Sequence, residues 1–133
     1  MRVHRPALVL AALALLLVAG AVGAGGPWVA LGERTVDDRV ERDVIEVAAS
    51  RGEFTAVRLE VRKHGVRFLD MKVVFGDGTA QDVPLQTVIM AGGETRVIDL
   101  RGGARVIRRV ELTYEAKSIG AGNRALIRLL GRR

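Results

Sequence analysis

The chain has 133 residues, with 21 Lys or Arg against 15 Asp or Glu, two histidines and no cysteine. The missing thiols exclude a disulfide staple and a thiolate metal site, so a hydrophobic core alone has to hold the fold. A chain of this size supplies one such core and leaves little for a second domain.

Residues 1–24 read as an export signal. Arg2 and Arg5 form a short basic start, Ala7 to Ala19 is an uncharged run of Ala, Leu and Val, and small residues follow from Gly20 to Gly26. Val22-Gly23-Ala24 offers small side chains where a signal peptidase cuts, with a second opportunity after Ala21. The competing reading is an uncleaved anchor, since the uncharged stretch from Ala7 to Ala24 approaches the roughly 20 residues that cross a bilayer. The Gly-rich end and the lack of a basic cluster after it speak for cleavage. The expected product is a single domain over 25–133, periplasmic or secreted, touching a membrane only through a retained anchor. Taking away Arg2 and Arg5 leaves 19 basic against 15 acidic residues, or +4, which favours weak attraction to anionic surfaces.

Strand patterns fill the rest. Short apolar runs at Trp28–Leu31 and Val44–Val47 come first. From Thr55 to Arg62, Val57, Leu59 and Val61 alternate with Arg58, Glu60 and Arg62, the period-2 pattern of a half-buried strand. Leu69, Met71, Val73 and Phe75 repeat it against Asp70 and Lys72. Runs at Val83–Ile89 and Arg96–Leu100 precede a third clear alternation, Val106, Arg108, Val110, Leu112 and Tyr114. Arg108 interrupts that apolar face and predicts a bulge or a strand end there. The last run is Arg124–Leu130. Glycine-containing turns at 50–52, 64–65, 76–78, 92–93, 102–103 and 120–123 separate the runs at intervals of about ten residues. About eight short strands so spaced predict an all-β, antiparallel sandwich, with a jelly-roll-like winding as one arrangement.

The central hairpin can be read more closely. A two-residue turn at Asp77-Gly78 would set apolar positions of one strand against polar positions of the other. A three-residue loop with a Gly bulge lets Met71 or Val73 face Val83 instead, and sidedness favours it because a slip of one residue reverses every side chain.

Landmarks in this order, Trp28-x-x-Leu31-Gly32, Phe75-Gly76-Asp77-Gly78, Ile98-Asp99-Leu100, Arg105-Val106-Ile107-Arg108-Arg109-Val110, Tyr114 and the closing Ala125-Leu126-Ile127-Arg128-Leu129-Leu130-Gly131, resemble a group of small exported bacterial proteins known as a domain of unknown function. The resemblance spans roughly residues 28–131. It implies a periplasmic or secreted β-sandwich and brings no functional residue with it.

Catalytic signals are thin. A nucleophile needs a base and an orienting group, whereas the chain after the signal has one histidine, His64, in a turn, and two serines, Ser50 and Ser118. One histidine cannot make a zinc site. The acidic run containing Asp37, Asp38, Glu41 and Asp43 is the best cation candidate, but Arg39 and Arg42 interleave with it and point to a solvated loop with local ion pairs. Asp70, Asp77, Asp82 and Asp99 could pair across a cleft for hydrolysis, yet no spacing selects two of them. The five aromatics, Trp28, Phe54, Phe68, Phe75 and Tyr114, form no stacking platform for carbohydrate or single-stranded nucleic acid, and Trp28 is expected to seal a sandwich edge.

Arginine remains. Arg58, Arg62, Arg105, Arg109 and Arg128 fall on or beside strands, most of them opposite the apolar face. Such a face is either solvated, with arginine stems covering apolar surface, or basic toward phosphate and carboxylate groups of envelope polymer. The reading adopted is a non-enzymatic exported binding or structural module of the bacterial cell envelope. Arg58, Arg62 and Arg109 are its candidate ligand contacts, and its expected partner is an anionic cell-envelope polymer or another envelope protein, with no nucleic acid and no cofactor. A small hydrolase using loop carboxylates, and an adaptor adding a strand to a partner through a free edge, are the alternatives.

Overall fold

The computed structural model describes residues 26–133; the export signal expected over 1–24 lies outside the described residues. Nine strands form among the described residues: β1 (Val29–Asp37), β2 (Arg42–Glu46), β3 (Glu53–Phe54), β4 (Ala56–Arg62), β5 (Val66–Phe75), β6 (Ala80–Ile89), β7 (Ile98–Asp99), β8 (Arg105–Glu115) and β9 (Arg124–Arg132). Every strand pairing is antiparallel. One sheet runs β1-β9-β4-β7, the other β2-β8-β5-β6, with β3 also on β8. Setting aside the two-residue β3, the chain passes back and forth between the sheets in the double Greek-key winding of a jelly roll. The sandwich expected from period-2 patterning is the fold that forms.

The alternating apolar residues meet between the sheets. Val57, Leu59 and Val61 of β4 and Ile127 and Leu129 of β9 face Met71 and Val73 of β5 and Val110, Leu112 and Tyr114 of β8, all fully or almost fully buried. Gly131 is required for the closeness of this packing: a Cβ there would stand 2.7 Å from both Phe54 Cδ1 and Leu31 Cδ1.

The β5–β6 hairpin has the three-residue loop. Phe75 N donates to Thr79 O at 2.8 Å and Gly78 N to Phe75 O at 2.9 Å, Gly78 takes φ 89°, and Met71 faces Val83. Asp77 Oδ1 accepts from Thr79 Oγ1 at 2.6 Å and Thr79 N at 3.0 Å.

Besides a register shift between Ala30 and Gly32 of β1, two bulges correct the simple alternation. Val74 pairs with Arg109 but Phe75 with Ile107, so β8 carries an extra residue at Arg108, the position where the sequence predicts a bulge. Arg108 turns outward, donates from Nη2 to Gly76 O at 3.0 Å, and passes the inward place to Ile107 instead of Val106. The second bulge has no counterpart in the expected pattern. Phe68 pairs with Tyr114 and Asp70 with Thr113, which leaves Leu69 extra on β5. Phe68, not Leu69, therefore enters the core, and Gln86, at φ 46°, donates from Nε2 to Leu69 O at 3.1 Å.

Candidate binding surfaces

The outward residues of β4 and β9 form one charged face. Across it Arg58 lies beside Leu130, Glu60 beside Arg128 and Arg62 beside Leu126, with Glu33 of β1 flanking Arg128. Its centre is neutralised from within. Arg128 reaches Glu60 at 3.5 Å and Glu33 at 3.8 Å, and Arg62 reaches Glu60 at 3.7 Å.

The end of this face near residue 28 is different. The Cζ atoms of Arg58 and Arg132 lie 4.3 and 4.8 Å from the centroid of the Trp28 ring, within the range of a cation–π contact. Arg51 Nη2 donates to Ala30 O at 2.6 Å, and Arg133 Nη2 donates to Arg51 O at 2.7 Å. Two arginines, Arg58 and Arg132, thus stack on one indole, while Arg133 lies over the Phe54 ring, 4.6 Å from its centroid. Their one carboxylate partner among the described residues is Glu94, 3.3 Å from Arg58; Arg132 has none. Trp28 itself is half-buried and stands apart from the core cluster, so the expectation that it packs into a sandwich edge gives way to an exterior stack. The residue precedes β1 on the sheet's outer side, where guanidinium groups are its neighbours.

Arg109 does not join Arg58 and Arg62. It belongs to β8, in the other sheet, where its Nε pairs with Glu111 Oε2 at 2.9 Å. Outward side chains of two facing sheets point in opposite directions, so the expected three-arginine face is divided: Arg58 and Arg62 lie on one side of the sandwich and Arg109 on the other.

The acidic run is distributed among backbone and cationic partners. Asp37 Oδ1 accepts from Arg39 N at 2.9 Å, Asp38 Oδ2 accepts from Gly122 N at 2.9 Å, and Asp43 pairs with Arg34 at 2.6 Å. The Glu41 side chain is exposed while its carbonyl receives Tyr114 N. The run is also less of a loop than expected, since β1 ends at Asp37 and β2 begins at Arg42. Among the described residues no three His, Cys, Asp or Glu side chains gather where a metal ion could be held.

The remaining polar candidates tie backbone. His64 Nδ1 lies 2.8 Å from Arg124 O, joining the β4–β5 turn to the start of β9. Ser118 Oγ accepts from Arg67 N and donates to Glu115 O. Asp77 is held by Thr79 and by Arg105 Nη2 at 3.2 Å; the Thr79 hydroxyl above all keeps its carboxyl below the usual carboxylate range. The Tyr114 hydroxyl is buried without a hydrogen-bond partner among the described residues, and burial, followed by nearby Asp43, pushes its pKa up to about 12.

The family model described as a domain of unknown function, DUF2541, matches residues 8–131. Among curated proteins none matches the chain. AlgX of Pseudomonas aeruginosa is similar in structure, with a TM-score of 0.52 at 16% identity over 80% of this chain; the chain spans 27% of that AlgX chain. A mutant of the family 29 carbohydrate binding module CBM29-2, complexed with cellulohexaose, superposes with a TM-score of 0.38 at 14% identity, covering 72% of this chain and 64% of its own. At these identities the likeness to AlgX is one of fold.

Proposed function

The chain belongs to the DUF2541 family, a domain of unknown function, and we propose that it serves as a non-enzymatic binding module of the bacterial envelope, gripping an anionic polymer at the Trp28 end of its first sheet. The observation that supports this reading is the pair of guanidinium groups stacked on Trp28, with Arg132 lacking a carboxylate partner among the described residues. Guanidinium binds carboxylate and phosphate in bidentate fashion, and a half-exposed indole offers a rigid apolar surface beside those charges. Arg58 keeps the role expected of it and Arg132 joins it, whereas Arg62 is engaged by Glu60 toward the other end of β4 and Arg109 leaves the set because it sits on the opposite face. The export signal read from residues 1–24 would deliver the module to such polymers.

A role as a strand-adding adaptor is less favoured. The free edge of β6 contains Pro84, which has no N–H to donate, and the Gln86 irregularity, two devices that discourage pairing along an edge. Hydrolysis by loop carboxylates is likewise disfavoured at Asp77, whose oxygens are engaged by Thr79 and Arg105.

Co-sedimentation tests the proposal. The protein should pellet with at least one of purified peptidoglycan, teichoic acid or lipopolysaccharide at low salt and be largely released near ~150 mM salt, where screening shortens the reach of exposed charges. Arg132→Gln should weaken retention in a protein that remains folded. Absence of retention on all three polymers at low salt would overturn the reading, as would retention confined to vesicles of anionic phospholipid.

A further inference from the structure

The second sheet turns a polar face outward, away from Trp28. Two rows cross it side by side: Arg42, Thr113 and Asp70, then Val44, Glu111, Lys72 and Asp82. A cleft of about 260 Å³ opens between these rows. Its shape follows from side-chain length, since Thr113 and Val44 are short while Arg42, Lys72, Asp70 and Glu111 rise around them. We propose that this cleft is a second ligand site, one that takes an uncharged sugar unit.

Charge and hydrogen-bonding capacity both support this choice of ligand. Two basic residues, Arg42 and Lys72, and three acidic ones, Asp43, Asp70 and Glu111, line the cleft; Asp43 is neutralised by Arg34 at 2.6 Å, so the remaining fields offset and no net ligand charge is favoured. Glu111 commits Oε2 to Arg109 at 2.9 Å, whereas Arg42, Asp70 and Lys72 enter no ion pair among the described residues. Donors and acceptors therefore alternate across the floor at sheet spacing and remain open. A hydroxyl both donates and accepts, so the vicinal hydroxyls of a sugar can meet an acid on one side and a base on the other. A cleft of this size suits a ligand smaller than the drug-sized molecules that fill pockets of ≈ 300–1,000 Å³. The site shares no residue with the Trp28 end, and its ligand is neutral, so it stands or falls separately from the anionic-polymer reading.

An NMR titration of the protein with maltohexaose, cellohexaose and chitohexaose decides the matter. At least one of the three should shift the backbone amides of Val44, Asp70 and Thr113, and the shifts should be insensitive to salt. Asp70→Asn combined with Glu111→Gln should weaken that binding about tenfold or more, the effect of losing hydrogen bonds to charged acceptors, while Arg132→Gln leaves it unchanged. No shift at these amides with any of the three sugars overturns the proposal in the parent protein itself. Shifts gathered around Trp28 instead, or equal binding by a folded double variant, overturn it as well.

Discussion

The guanidinium of Arg58 stands 4.3 Å from the centroid of the Trp28 ring, and its Nε is buried without a hydrogen-bond partner among the described residues. The contact with the ring, and Glu94 at 3.3 Å, compensate for the water that this nitrogen has lost. Replacing Arg58 by Ala should cost about 0.5–2 kcal/mol of stability, from the lost cation–π contact and the packing of its stem. Urea unfolding checks the value. An unchanged midpoint would mean that the stack contributes nothing to the fold.

Tyr114 gives an alkaline prediction. An unfolded tyrosine ionises near 10, whereas the buried Tyr114 is pushed up to about 12. The folded protein holds this proton more tightly, so its stability is intact below pH 10 and falls as the pH rises through this interval toward 12. Tyr114→Phe should lack this component of the alkaline loss. The variant should also be at least as stable as the parent at neutral pH, because the hydroxyl it removes is buried without a partner. A variant clearly less stable at neutral pH would show that the hydroxyl is satisfied in solution.

Asp77 gives the acid counterpart. Its carboxyl is held below the ordinary value chiefly by the Thr79 hydroxyl, then by the Thr79 amide. A depressed folded-state pKa contributes stability above the unfolded carboxylate's pKa and loses it as the pH falls through the folded value. Thr79→Val should raise the Asp77 titration midpoint, read from its carboxyl carbon by NMR. An unmoved midpoint would assign the depression to the Thr79 amide and Arg105 instead.

The pattern of residues made some of this structure legible and concealed the rest for physical reasons. Alternation at Val57-Leu59-Val61 and Val110-Leu112-Tyr114 named the core because each strand buries one face. The Gly76-Asp77-Gly78 loop and the Arg108 bulge were readable because the wrong register would bury charge. Leu69 was not readable: an apolar residue in phase with apolar neighbours gives no sign that a bulge displaces it in favour of Phe68. Period 2 told that Arg58, Arg62 and Arg109 point outward, but not that β8 lies in the sheet opposite β4, since sheet membership depends on long-range pairing. Arg132 was passed over because its meeting with Arg58 on Trp28 joins segments far apart in the chain.

Core packing gives a further prediction. Leu59→Ala and Leu112→Ala should each cost about 2–5 kcal/mol, whereas Gly131→Ala should cost about 1–3 kcal/mol for the opposite reason, crowding against Leu31 and Phe54. Thermal melts compare the three. Parent-like melting of both leucine variants would contradict the buried face, and parent-like melting of Gly131→Ala would contradict the close contact.

Trp28 is the only tryptophan in the chain, so its fluorescence reports directly on the surface assigned to polymer binding. Titrating the protein at low salt with the envelope polymer that retains it should shift or quench the Trp28 emission to saturation. Salt should reverse the change, and Arg58→Lys and Arg132→Lys should weaken it if the guanidinium groups bind in bidentate fashion. Saturable polymer binding that leaves Trp28 emission untouched, or that persists at equal affinity in Arg132→Gln, would contradict the placement of the binding surface at Trp28.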